Sequence, residues 1–315
     1  MKVGVTCIQL IRDIDQWRPS MEAAGLEVVV PTIPGQHLEG DELVTALEGC
    51  IGVVAGDDKF TSDVLDRLPE LRVISKWGIG VDGIDRKHAE QRAITITNTP
   101  GAFDEEVADI TFGYIVLLLR QLHRIDAAVR RGEWFKPAGH SLGGLRLGII
   151  GLGGIGRAVV RRGIVARMDV VGSDPSMEAQ NAAIADGATV VDIDELMSTS
   201  NVVSVNCPLN AETRHLVNAE RLQLLPPGAY LVNTGRGEVV ETIAIAEALR
   251  SGRLAGAALD VLEEEPPRPD NPLQDLDSVI FGSHNASNTL EASARVHQRS
   301  IQNLADVLNV QIELS

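Results

Sequence analysis

Short apolar runs of strand length alternate with amphipathic stretches of helix length over most of this 315-residue chain. Residues 2–6, 27–30, 52–54 and 72–75 read as buried strands, and the stretches near 17–24, 41–48, 61–67 and 85–91 carry helical spacing between them. Such alternation predicts an α/β domain built on a parallel sheet. After Pro100 the pattern changes to one long amphipathic helix over 104–131. Asp104, Glu105 and Glu106 stand at its start and Arg124, Arg130 and Arg131 at its end, the charge order that a helix dipole favours. Strands follow at 169–172, 188–191, 202–205, 229–233, 256–259 and 278–281, and a last helix covers about 289–309. The pattern predicts two Rossmann-like or flavodoxin-like α/β domains with parallel sheets. The first comprises 1–99 plus 286–315, and the second, 100–285, is inserted within it. Two chain crossings imply a hinge, with ligands meeting in a cleft.

Composition narrows the classes of function. Asp and Glu number 44 against 28 Lys and Arg, a net charge of -16, which argues against nucleic acid or an anionic membrane as partner. Cys7, Cys50 and Cys207 are scattered without CxxC spacing, as expected of buried thiols in a cytoplasmic protein. The N-terminus begins like a strand and not a signal peptide, and the apolar stretch 114–119 is too short to span a bilayer. No histidine pair has metal-ligand spacing, so no metal is expected.

The chemistry starts at GLGGIG, 151–156, between the apolar run Leu145, Leu147, Ile149, Ile150 and the helical run Ala158, Val159, Val160. Gly151 allows the turn, Gly153 lets a pyrophosphate approach the backbone, and Gly156 lets the helix pack on the strand, with Gly154 and Ile155 opening that helix. The helix start offers N–H groups and a positive dipole end to phosphates. Asp174 closes the next apolar run, where an acid bonds the ribose 2′-hydroxyl and repels a 2′-phosphate. NAD is the expected cofactor. Asp174 has a second reading as a turn residue before Pro175.

Three later strand ends carry chemistry. Asn233-Thr234-Gly235-Arg236-Gly237 sets a guanidinium between glycines, suited to gripping a carboxylate. The run 257–267 places Asp260 and Glu265 at a second strand end, and 279–288 places His284 at a third. A histidine with a carboxylate partner is a general acid/base. Glu263 and Glu264 read as solvated, and the other histidines as surface or helix residues. Arg120, Arg124, Arg130 and Arg131 read as a helical face.

The motifs KWGIGVDGID (76–85), TNTPGAFDEEVAD (97–109), GIIGLGGIGRAV (148–159), CPLNAETRHLVN (207–218), VNTGRGEVV (232–240), ALDVLEEEP (258–266) and GSHNASN (282–288) run nearly end to end. With them the chain resembles the D-isomer-specific 2-hydroxyacid dehydrogenases, nearest their phosphoglycerate dehydrogenase-like branch. The resemblance implies hydride transfer between C2 of a D-2-hydroxy acid and nicotinamide. Arg236 would clamp the carboxylate and C2 oxygen, His284 would move the hydroxyl proton, and Glu265 would hold the imidazole. Asp260 would contact the nicotinamide amide. Cys207, Pro208, Thr213, Thr234 and Gly235 would line the cofactor beside the glycine turn and Asp174. Lys76, Gly78, Ile79 and Gly80 would meet the substrate. The helix after 104 resembles the family's dimerisation arm and implies a homodimer through 104–131. Gly83 stands where the family has Asn, Asp109 where it has Glu, and Asn285-Ala286-Ser287 follow His284. Ala55 falls where phosphoglycerate enzymes carry an arginine, with Asp57 and Asp58 beside it, so phosphoglycerate is one candidate substrate beside hydroxypyruvate and glyoxylate. A reading of a different class is an NAD(H)-sensing interaction protein resembling the C-terminal-binding corepressors.

Overall fold

The chain is described here by a computed structural model covering residues 1–314, which divides into two compact units. One is Met1–Ala102 together with the residues from Thr289 onward, and the other is Phe103–Asn288.

In the first unit β1 (Lys2–Val5), α1 (Ile8–Arg12), α2 (Ile14–Ala23), β2 (Glu27–Val29), α3 (Gly40–Ala46), β3 (Gly52–Ala55), α4 (Ser62–Asp66), β4 (Val73–Lys76), α5 (Arg86–Gln91) and β5 (Thr95–Thr97) follow one another. The sheet is wholly parallel, in the order β2-β1-β3-β4-β5. β3 and β4 are buried on both faces, and in β3 that leaves an unbroken apolar run. Strand order reverses between β1 and β3, and there the buried Asp58 carboxylate fills the rim. It accepts from Leu38 N at 2.8 Å, from Gly56 N at 3.1 Å and from the Thr6 hydroxyl. Burial raises its pKa against the pull of those donors. Gly83 is explained at the same place, since a Cβ would lie 2.8 Å from the Asp58 carbonyl oxygen.

The second unit contains α6 (Asp104–Arg120), α7 (Leu122–Arg130), β6 (Arg146–Ile150), α8 (Gly154–Val165), β7 (Asp169–Ser173), α9 (Met177–Ala185), β8 (Thr189–Val190), α10 (Ile193–Thr199), β9 (Val202–Val205), α11 (Ala219–Leu224), β10 (Ala229–Asn233), α12 (Thr242–Arg250), β11 (Leu254–Leu259) and β12 (Val279–Phe281). Its parallel sheet runs β12-β11-β10-β9-β6-β7-β8, a doubly wound order whose switch point lies between β6 and β9. The two-residue strand period divides the core. Val203, Val205, Leu231 and Leu259 face one layer of helices, and Val202, Val232, Ala258 and Ile149 face the other.

The single helix expected over 104–131 is two helices. Gln121 adopts a left-handed backbone, φ 51°, ending α6 and starting α7, while its amide donates to Ala138 O at 2.9 Å. The acidic start of α6 also serves more than the dipole: Arg162 on α8 binds both Glu105 and Asp109. The arginine face expected near 120–131 is one of local pairs, Arg130 with Asp126 and Arg131 with Glu133.

The chain then returns to the first unit through α13 (Leu290–Val307), capped by the Thr289 hydroxyl, which accepts from Ala292 N at 3.1 Å. Ser75 on β4 donates to Ser300 O at 2.7 Å, seating α13 on the sheet. His297 is a helix residue, on α13, but not a surface one: it is 1% exposed, and Trp77 Nε1 donates to its Nδ1 at 2.8 Å. Its Nε2 lies 3.1 Å from Asp13 Oδ2, so the proton sits on Nε2 and the ring is neutral. Burial lowers the His297 pKa, with Asp13 opposing. A depressed folded-state pKa means that the unfolded chain binds the proton first. Stability is therefore full above the unfolded value of 6.5 and is lost as pH falls below it. Urea melts followed by tryptophan fluorescence should show the wild-type midpoint dropping more between neutral pH and about pH 5 than that of His297→Gln. Equal drops would contradict this.

Candidate active site

The glycine turn is built by sterics that can be read position by position. Gly151 has φ 90°, and a Cβ there would lie 2.7 Å from Cys207 N on the neighbouring strand's extension. At Gly156 a Cβ would overlap the Gly151 carbonyl oxygen, and at Gly154 it would overlap the Asp104 carboxylate. Gly153 is different: nothing lies within 4 Å of its missing Cβ. Gly153 is also the N-cap of α8, with no side chain capping the helix. An uncapped helix start facing open space, at the sheet's switch point, fits the pyrophosphate of a dinucleotide. Asp174 follows β7 and has the turn contacts of its second reading. Its Oδ2 accepts from Leu152 N and its Oδ1 from Ser176 N, each at 2.8 Å, so the carboxylate ties the turn to the next loop. A carboxylate has lone pairs for about two more donors, which leaves room for a ribose hydroxyl.

Arg236, Glu265 and His284 stand after β10, β11 and β12 of one parallel sheet, so all three lie at the same edge. Asn233, 1% exposed, shapes the first loop: its Oδ1 accepts from Gly235 N at 3.0 Å and its Nδ2 donates to Arg236 O at 2.9 Å. Arg236 itself donates from Nη1 to Gly235 O at 2.9 Å. Gly237 has no side chain because a Cβ would collide with the backbone of Leu262 and Glu263, on the loop that carries Glu265. Glu265 Oε1 accepts from Leu262 N at 2.8 Å, and Oε2 lies 2.8 Å from His284 Nδ1. An ionised carboxylate can only accept, so Nδ1 carries a proton in this pair. His284 has a left-handed backbone, φ 54°, an uncommon state for a residue with a side chain. Its N–H donates to Asp260 O at 2.7 Å.

The other predicted positions are placed as follows. Asp260, 3% exposed, accepts from Ala286 N at 2.9 Å and from the Tyr114 hydroxyl at 3.2 Å. Cys207 is buried, and burial pushes its thiol up to about 11. Thr213 donates to Pro208 O at 2.7 Å and closes the 208–213 turn. Thr234 meets Thr111 at 2.7 Å, hydroxyl to hydroxyl, and Gly235 packs 3.0 Å from Cys207 O, measured to its missing Cβ. In the first unit, Lys76 Nζ donates to Asp57 Oδ1 at 3.0 Å and to Trp77 O at 2.9 Å. Gly78, φ 122°, is held by Thr99, and Asn98 Nδ2 donates to Ile79 O at 2.7 Å, which fixes the loop leading to Gly80.

Glu264 is exposed, as expected, whereas Glu263 is also held by partners. Glu263 accepts from Thr242 N at 2.7 Å and faces His215 Nε2 at 2.6 Å, while Glu264 pairs with Arg268. Burial pushes the Glu263 pKa up, but Thr242 and His215 outweigh it and the net shift is downward. Gly282 and Tyr114 also build the site, and neither is among the expected site residues. Among the described residues no cluster of His, Cys, Asp or Glu could hold a metal ion, and no helix is long and apolar enough to cross a membrane.

Comparison with known proteins bears on this arrangement. Residues 112–286 match the family described as D-isomer specific 2-hydroxyacid dehydrogenase, NAD binding domain. A glyoxylate reductase of Thermofilum pendens is 39% identical over 80% of this chain and 76% of its own length. A D-3-phosphoglycerate dehydrogenase of Methanocaldococcus jannaschii is 38% identical over 76% of this chain, which spans 46% of that protein. Among solved structures, D-lactate dehydrogenase of Aquifex aeolicus, complexed with NAD and lactic acid, superimposes with a TM-score of 0.86 at 25% identity. That match covers 100% of this chain and 99% of the other.

Proposed function

The chain belongs to the D-isomer specific 2-hydroxyacid dehydrogenase family and is an NAD-dependent oxidoreductase, and from that premise we propose that it reduces a small, unphosphorylated 2-keto acid such as glyoxylate or hydroxypyruvate. The observation that carries the catalytic part is the 2.8 Å contact between Glu265 and His284 at the same sheet edge as Arg236.

The nicotinamide ring, when bound, supplies and accepts the hydride. Everything else falls to side chains. Arg236 holds the substrate carboxylate and polarises the C2 oxygen, a planar donor fork matching a planar acceptor. His284 gives its Nε2 proton to that oxygen during reduction and takes it back during oxidation. Glu265 fixes the tautomer by accepting from Nδ1, and it offsets the positive charge that the ring carries before it donates. The turn from Gly151 to Gly156 and Asp174 hold the dinucleotide. The loop from Gly78 to Gly80 is the candidate source of further N–H donors to the carboxylate.

The substrate class follows from the rim of the first unit. Ala55 ends β3, where a phosphate-gripping arginine is absent, and the Lys76 ammonium is bound by Asp57. That rim offers no net positive charge for a phosphate dianion. The ratio of kcat/KM for hydroxypyruvate to that for phosphohydroxypyruvate tests this. A preference of about tenfold or more for the unphosphorylated acid is expected, and a preference for the phosphorylated one would contradict the reading. We also infer a homodimer through 104–131, since Ile110, Leu122 and Val129 on α6 and α7 are exposed apolar residues. Three buried free thiols suit a cytoplasmic setting.

A further inference from the structure

Thr111 and Tyr114 stand on α6 three residues apart, a spacing that puts them on one helix face. Each reaches a loop of the candidate site. Thr111 donates to Val107 O at 2.7 Å, so its oxygen accepts from Thr234, which lies two residues before Arg236. The Tyr114 hydroxyl donates to Asp260 Oδ1 at 3.2 Å.

Asp260 is the brace of the His284 loop. Its carbonyl accepts from His284 N at 2.7 Å, and its Oδ2 accepts from Ala286 N at 2.9 Å, so one residue grips the backbone on both sides of a left-handed histidine. Its own N–H donates to Asn233 O at 2.9 Å, which links it to the residue that shapes the Arg236 loop. A buried carboxylate must be supplied with donors at both oxygens. Ala286 serves Oδ2 and Tyr114 serves Oδ1. Gly282 completes the arrangement, because a Cβ there would lie 2.5 Å from the Tyr114 hydroxyl and would overlap the Asp260 carboxylate.

We propose that Tyr114 is a positioning residue for the reaction, its hydroxyl fixing the Asp260 carboxylate so that Asp260 can hold the His284 loop in place. The proposal rests on the role assigned above to His284. Phenylalanine at 114 fills the same volume and removes only the donor. The Asp260 carboxylate then turns away or gains a proton, the Ala286 bond weakens, and the imidazole wanders from its working position. Small misplacements of a reacting group cost much rate. The Tyr114 environment agrees: burial raises its pKa, and the negative charge of Asp260, the charged group facing it, raises it further.

Two measurements on the whole protein test this. Tyr114→Phe should lower kcat for keto-acid reduction, measured per NADH-binding site on folded protein, by about tenfold, while KM for the keto acid moves little. An unchanged kcat would overturn the proposal. The second measurement is independent of turnover. The chain has 2 tyrosines, so in Tyr230→Phe the near-ultraviolet tyrosinate signal belongs to Tyr114 alone. That signal should titrate well above the ordinary 10.0 and fall back toward it when Asp260→Asn is added. Titration at the ordinary value would overturn the Tyr114–Asp260 contact, even if Tyr114→Phe failed to fold. Wild-type turnover in His284→Ala would overturn the underlying site reading while leaving the titration result standing.

Discussion

Replacing His284 by alanine should lower kcat by about 10²–10⁴, with NADH bound as tightly as before. The reason lies in what the side chain does and does not touch. Its Nδ1 is committed to Glu265 at 2.8 Å, and its main chain is committed to Asp260 at 2.7 Å. The backbone contact survives the substitution, so the loop retains its anchor while the proton donor disappears. The glycine turn, Asp174, Cys207 and Pro208 are untouched, so a fluorescence titration with NADH should give the wild-type Kd. A large loss of NADH affinity, or full turnover, would remove His284 from the acid/base role.

Arg236→Ala should lower kcat/KM for the keto acid by about 10²–10³, again with little change in NADH affinity. Removing a cation that clamps a carboxylate and polarises a carbonyl harms both binding and the transition state. Arg236→Lys should restore only part of the loss, since an ammonium is a point charge and cannot match two carboxylate oxygens. The loop itself should persist in both variants, because Asn233 fixes it through Gly235 N and the carbonyl of residue 236. Collapse of NADH binding in Arg236→Ala would instead make the arginine a structural element of the rim.

Some of this was legible in the chain and some was not, for physical reasons. The glycine turn could be read because each glycine answers a local steric demand, and the demands recur at fixed spacing: Gly151 and Gly156 are crowded and Gly153 is open. Strands could be read because both faces of β3, β4 and β9 are buried. The break at Gln121 could not, since glutamine is a good helix former and the left-handed turn is held by the Ala138 carbonyl, far along the chain. Glu263 looked solvated because its partner His215 lies 48 residues away. His297 looked like one more helical histidine because its indole partner is 220 residues distant. Tyr114 was hidden in the apolar face of α6, where a hydroxyl carries no periodic signal. Local sterics can be read from sequence. Long-range polar pairing cannot.

The measurement that tests the central claim most directly is NADH oxidation by the wild-type protein with glyoxylate, hydroxypyruvate, pyruvate and phosphohydroxypyruvate, followed by the loss of NADH absorbance. Saturable turnover with a small unphosphorylated 2-keto acid, lowered by about 10²–10⁴ in His284→Ala, is the predicted result. NADH binding with no turnover on any of them would contradict it, and would point to a protein that senses the dinucleotide without using it.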